Sequence, residues 1–144
     1  MATLTRVATV AREWDDMSLV AIALVLAVVA LAALALLQVA VAAGLPYGNL
    51  VWGGQHRVLP TSLRIGSVIS VGLYAFFVLI LVDRSGLAPA LGAGAFGIVG
   101  AWVLVGYFTL GILMNAISRS PIERRVMVPV TLVLAACSLV IALS

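Results

Sequence analysis

Long apolar runs separated by short polar segments dominate this chain, and the runs have the length scale of a lipid bilayer. They cover residues 18–43, 62–82, 89–117 and 121–143, so each run has at least 21 residues. At about 1.5 Å per residue, a helix of that length crosses a hydrocarbon core about 30 Å thick. The predicted fold class is therefore all-α: an integral membrane protein whose four transmembrane helices form an antiparallel bundle.

The first 17 residues have a different pattern from the apolar runs. Leu4, Val7, Ala11 and Trp14 recur at helical spacing, and most of the charged residues lie between them. This pattern predicts a short amphipathic helix in the membrane interface, with the indole near the lipid head groups. The chain is thus divided into an interfacial segment, residues 1–17, and a transmembrane domain, residues 18–144.

The connection between the first two runs, residues 44–61, is long for a helix-to-helix link in a bundle. Gly44 and Pro46 are expected to end the first helix, and Pro60 directly precedes the next one. The residues between them include the only histidine, so a structured loop is predicted. A much shorter turn, residues 83–86, joins the second and third runs.

Two further signals concern the third and fourth runs. Ser120, Pro121 and Glu123 fit a capping box, which predicts that the fourth helix begins at Pro121. Small residues on the third run predict close backbone packing, either at the centre of the bundle or in an oligomer. The residues of this predicted packing interface are Ala93, Gly97, Gly100 and Ala101.

Charge sets the expected location and orientation. All eight basic residues are arginine, as in proteins from GC-rich bacterial genomes, and the net charge of +3 is too small to indicate a nucleic-acid partner. A multi-pass protein of the bacterial inner membrane is expected. Five arginines fall on the side of the long loop and three on the side of the termini, which favours a cytoplasmic loop and external termini.

Several chemistries lack the residues they need. The chain has no lysine for a Schiff base or a phosphate-binding loop, and it has one histidine and one cysteine. A bis-histidine haem, an intramolecular dithiol and a metal site are therefore not expected, and no cofactor is predicted. The acidic residues nearest the apolar runs, Asp83 and Glu123, lie at run ends, which argues against a proton-coupled antiporter with a carboxylate inside a span.

The first and third loops lie at the same membrane face, where their polar residues can form one site. Arginine forks there could bind an anion or a lipid head group. The alternative is an ordinary set of snorkelling arginines beside an aromatic belt. The candidate anion-binding residues are Arg57, Arg64, Arg119, Arg124 and Arg125. The candidate pocket or loop residues are Gln38, Tyr47, Trp52, His56, Asn115 and Glu123.

Three functions fit these observations. The first is a non-enzymatic subunit or accessory protein that packs through the glycine-rich third helix against itself or a larger membrane complex. The second is a homo-oligomeric transporter or channel for a small anion or amphiphile. The third is a lipid-modifying enzyme with His56 as its base, although catalysis is less expected than a non-enzymatic role. Membrane lipids and a homo-oligomer or larger complex are the expected partners.

Overall fold

The computed structural model describes the backbone of residues 2–88 and 94–144, and the side chains of Asp15 and of residues 17–88 and 94–144. Its α-helices are α1 (Ala2–Ala42), α2 (Thr61–Arg84), α3 (Ala95–Ala116) and α4 (Pro121–Leu143). In these described residues, Met17–Ala42 and the whole of α2, α3 and α4 are long and apolar enough to cross a membrane. The prediction of an all-α, four-span membrane protein is confirmed. We call the end of the bundle with residues 43–60 and 117–120 the loop face.

The helix bounds follow the apolar runs, except that α3 begins at Ala95, later than the predicted start at residue 89. α1 is continuous from Ala2 to Ala42, so the N-terminal helix joins the first span without a break. The side chains of residues 1–14 and 16 lie outside the described residues, and the amphipathic character of this segment stays a prediction. Residues 89–93, which include Ala93 of the predicted packing interface, also lie outside the described residues.

The interior of the bundle is a narrow apolar strip supplied by all four helices. Ala27, Leu31, Leu81, Leu104 and Leu134 are buried in it. Large apolar side chains on the outer faces of the same helices are exposed. Lipid tails solvate such faces as well as protein does, so the bilayer completes the apolar environment.

Small residues on α3 are used for contact with α2 inside this chain. A Cβ atom at Gly97 would lie 2.6 Å from Oδ2 of Asp83, and one at Gly100 would lie 2.9 Å from Cγ2 of Ile80. Ala101 is fully buried. The described part of the predicted packing interface therefore packs α2 against α3 at the end of the bundle away from the loop face.

Gly100→Leu is expected to lower stability because the new side chain must displace the buried Ile80. Overpacking of this kind costs about 1–3 kcal/mol. Thermal unfolding in detergent, followed by circular dichroism, measures the loss. Gly106→Leu is the matched control, since nothing lies within 4 Å of a Cβ at that position. Equal melting of the two variants would contradict the role assigned to Gly100.

The four helices form two hairpin-like pairs, and residues of both pairs line a cavity near the loop face. α1 packs mainly on α2, and α3 packs mainly on α4. The aromatic contacts between α2 and α3 centre on Phe77, whose ring lies 5.0 Å from that of Tyr107 and 5.8 Å from that of Phe108. Beyond this aromatic contact, nearer the loop face, residues of α2 and α3 line a cavity.

Candidate binding cavity at the loop face

Trp52 lines this cavity from a strained position in the long loop. It begins the second of two single 3-10 turns, Gly48–Leu50 and Trp52–Gly54, and its φ of 56° is unusual for a residue with a side chain. The indole Nε1 donates a hydrogen bond of 3.1 Å to Oγ of Ser67. The ring rests against Gly66, where a Cβ would lie 2.9 Å from it. Contacts with α2 therefore hold Trp52 in place.

The two ends of the loop are joined by backbone contacts. The N–H of Gly48 donates to the carbonyl of Arg57 at 3.0 Å, and a Cβ at Gly48 would overlap the carbonyl oxygen of His56. Arg64 donates from Nε to the carbonyl of Leu59 at 2.8 Å. The loop is thus closed at its base and is an ordered element, as its composition predicts.

Glu123 connects the loop to the start of α4. Its side chain is 6% exposed, and Oε1 accepts a hydrogen bond of 3.2 Å from the N–H of Gly53. Its Oε2 accepts a hydrogen bond from the hydroxyl of Ser118. These donors and the positive end of α4 all complement a carboxylate. A single buried side chain therefore ties together two loops and a helix terminus.

Ser120 caps α4 as the capping box predicts, but the side chain of Glu123 binds partners outside its own helical turn. Oγ of Ser120 accepts from the N–H of Glu123 at 3.2 Å and caps the helix, as the sequence predicts. The same hydroxyl donates to the carbonyl of Asn49 at 2.7 Å. The N–H of Ser120 donates to Oγ of Ser118 instead of to the glutamate. The carboxylate is thereby left to bind the long loop.

A cavity of about 320 Å³ lies between the helices beneath this loop. Its apolar wall includes Leu34, Phe108, Met127 and Leu134. Polar groups from the loop and from every helix also line it; they are Gln38, Trp52, Ser70, Tyr74, Tyr107, Asn115, Glu123 and Thr131. Such a volume lies at the lower end of the range of about 300–1,000 Å³ typical of small-molecule sites.

Gln38 on α1 is the most informative residue of the lining. Its side chain is only 7% exposed, and its Oε1 has no hydrogen-bond partner. The same side chain also interacts with the phenol of Tyr74 on α2. An unpaired buried acceptor costs about 1–3 kcal/mol. A bound molecule that donates a hydrogen bond would remove this cost.

The cavity opens sideways between α2 and α3. Tyr107 and Met114 line it from α3, yet they are 48% and 59% exposed. Ser70 and Tyr74 line it from the facing side on α2 and are half-buried. Both helices are long and apolar enough to span a membrane, so this side of the bundle is expected to face lipid. A molecule dissolved in the membrane can reach the cavity without crossing the loop.

The residues predicted for a pocket divide into two groups. Gln38, Trp52, Asn115 and Glu123 come together around the cavity. Tyr47 and His56 are exposed in the loop and are not part of the lining. Ser70, Tyr74, Tyr107 and Thr131 were missed by sequence reasoning. Their only signal is that each is a polar group inside an apolar run.

The predicted anion-binding arginines lie outside the cavity. Arg57, Arg119, Arg124 and Arg125 are exposed, and Arg64 is partly buried with its Nε bound to the carbonyl of Leu59. Among the described residues, Glu123 is the only charged residue of the lining. An anion site built from these arginines stays a prediction and would be separate from the cavity. Within the described part of the chain, no three histidine, cysteine, aspartate or glutamate residues form a group that could hold a metal ion.

Fold and cavity together define a small multi-pass helical membrane protein with a cavity between its helices. No protein family, curated protein or solved structure matches this chain. Its function is therefore argued from the chemistry of the cavity.

Proposed function

We propose that this protein is a non-enzymatic membrane component that binds a small amphiphile in the cavity beneath the long loop. The observation that carries the proposal is the buried, unpartnered Oε1 of Gln38 in the wall of a cavity of about 320 Å³. Polar groups near the loop face suit a head group, and the apolar wall and lateral opening suit a hydrocarbon tail. Delivery or transport of such a molecule would use the same site.

An enzymatic role has less support from the geometry. His56, the residue expected to act as a base, is exposed in the loop and lies outside the cavity lining. A general base must reach the proton that it removes, within hydrogen-bond distance or through one water. Binding without chemistry is thus the function that the cavity supports best.

The proposed setting is a bacterial inner membrane with the loop face in the cytoplasm. Five arginines belong to the loops or first helical turns at this face, and they are exposed or half-buried: Arg57, Arg64, Arg119, Arg124 and Arg125. The positive-inside rule supports this orientation. Association with another protein stays a proposal. The predicted interface gives it less support, because its described small residues are already packed inside the chain.

Quenching of Trp52 tests the proposed cavity. Trp14→Phe and Trp102→Phe leave Trp52 as the only tryptophan of the chain's three. In lipid nanodiscs, 2-bromodecan-1-ol is expected to quench it saturably, because Trp52 lines the cavity and bromine quenches indole fluorescence at short range. Ser70→Phe is expected to abolish the saturable part by filling the opening.

Ile69→Phe is the matched control for this experiment. Ile69 is the neighbouring residue on α2 and is exposed outside the cavity lining, so its replacement should leave the saturable quenching unchanged. Quenching that rises linearly with probe concentration in the parent protein, or that is equally saturable in Ser70→Phe, would contradict binding in this cavity.

A further inference from the structure

We infer that the cavity selects an amphiphile whose head group donates hydrogen bonds, an alcohol or an amine, over one with an anionic head group. The inference rests on the proposed function and specifies the class of ligand. Some hydrogen-bonding groups of the cavity wall already have partners inside the protein, whereas others can bind a ligand.

The free group with the clearest role is the amide oxygen of Gln38. It is buried, it lines the cavity and it lacks a partner, whereas the same side chain already interacts with Tyr74. An amide oxygen only accepts hydrogen bonds. A ligand hydroxyl or amine would satisfy it, and an ether, an ester or a carboxylate would leave it unpaired.

Three of the hydrogen-bond donors in the wall already have acceptors, and the phenols of Tyr74 and Tyr107 can either donate or accept. The Thr131 hydroxyl donates to the carbonyl of Met127 at 2.7 Å, and the Ser70 hydroxyl donates to the carbonyl of Gly66 at 3.0 Å. The indole of Trp52 donates to Ser67. These groups have little left to offer an acceptor ligand, while the hydroxyl oxygens keep lone pairs that can accept.

The charge of the wall acts in the same direction. Glu123 is the one charged residue of the lining among the described residues, and it accepts hydrogen bonds from Gly53 and Ser118. Each carboxylate oxygen retains a lone pair beyond these bonds. A carboxylate in a poorly solvated cavity repels an anionic head group and attracts a cationic one. Asn115 offers both a donor and an acceptor and leaves this balance unchanged.

Competition against the brominated reporter tests the inference. In the protein with Trp52 as its only tryptophan, saturating quenching by 2-bromodecan-1-ol is reversed with decan-1-ol, decylamine, methyl decyl ether or decanoate at equal mole fractions in the membrane. We expect the alcohol and the amine to compete about tenfold more strongly than the ether, the value of one hydrogen bond, and decanoate to compete weakest. If decylamine competes more strongly than decan-1-ol, the head group lies nearer Glu123. If decan-1-ol competes more strongly, the head group lies at Gln38.

Gln38→Leu is expected to reduce the preference for alcohol over ether from about tenfold to about onefold, because the acceptor that distinguishes the two head groups is removed. Gln55→Leu is the matched control, because Gln55 is exposed in the loop and should keep the full preference. If Gln38→Leu does not fold, Gln38→Met removes the same acceptor with an unbranched side chain.

The possible failures are distinct. If the reporter shows no saturable quenching, the proposed function falls and the inference falls with it. If the reporter binds but the ether or decanoate competes as well as the alcohol, the cavity binds amphiphiles and the inference on the head group is overturned. An unchanged preference in a folded Gln38 variant would also overturn it.

Discussion

Replacing Glu123 with alanine is expected to release the long loop and lower stability by about 2–4 kcal/mol, the range for loss of a buried charged acceptor with several partners. The change leaves the N–H of Gly53 and the hydroxyl of Ser118 without their acceptor. Glu123→Gln retains one acceptor oxygen, so a smaller loss is expected. Thermal unfolding and the rate of tryptic cleavage after Arg57, which lies in the loop, measure the two effects.

Asp15→Ala is the control for this prediction, because Asp15 is an exposed carboxylate on α1. It should change neither the melting temperature nor the cleavage after Arg57 by a measurable amount. A Glu123→Ala protein that melts like the parent and resists trypsin equally would show that the loop is held by other contacts.

Gly48→Ala is expected to open the base of the loop. Its Cβ would overlap the carbonyl oxygen of His56 and lie 3.1 Å from the carbonyl oxygen of Arg57, so backbone must move. A loss of about 1–3 kcal/mol or more follows from such overpacking. The emission of Trp52 should shift to the red as its ring leaves α2. Unfolding and fluorescence of the protein with Trp52 as its only tryptophan measure both changes.

Gly53→Ala separates crowding from backbone strain. Gly53 has a φ of 77°, and nothing lies within 4 Å of a Cβ at that position. Its replacement should cost only the strain of a left-handed residue, about 1–2 kcal/mol. If Gly48→Ala is less destabilising than Gly53→Ala, the tight closure at Gly48 is not important for stability.

Hydropathy predicts the spans of this protein but not their inner faces. A run such as residues 18–43 is apolar on every side, because lipid and bundle core favour the same side chains. The sequence therefore distinguishes poorly between buried Leu31 and exposed Leu36. Local signals worked better: α4 begins at Pro121 and is capped by Ser120, since a capping box depends on neighbouring residues alone.

The candidate site shows where sequence reasoning ends. The sequence places Gln38 and Glu123 with the polar residues of the first and third loops, and both residues line one cavity. That Glu123 binds Gly53, 70 residues away, could not be read from the chain, because the capping pattern predicts a partner within its own turn. The anion hypothesis rests on the arginines, because charged residues stand out in an apolar sequence. An uncharged residue such as Tyr74 gives no comparable signal.

Two consecutive residues of the long loop link the two helix pairs of the bundle. Trp52 is bound to α2, which packs on α1, and Gly53 is bound to α4, which packs on α3. Within the described residues, no hydrogen bond joins the loop to α3. A molecule that pushes α2 and α3 apart therefore pulls on both sides of the peptide between Trp52 and Gly53. Occupancy of the cavity and protease resistance of the loop are therefore expected to be coupled through these two residues, together with the hydrogen bond from Ser120 to Asn49.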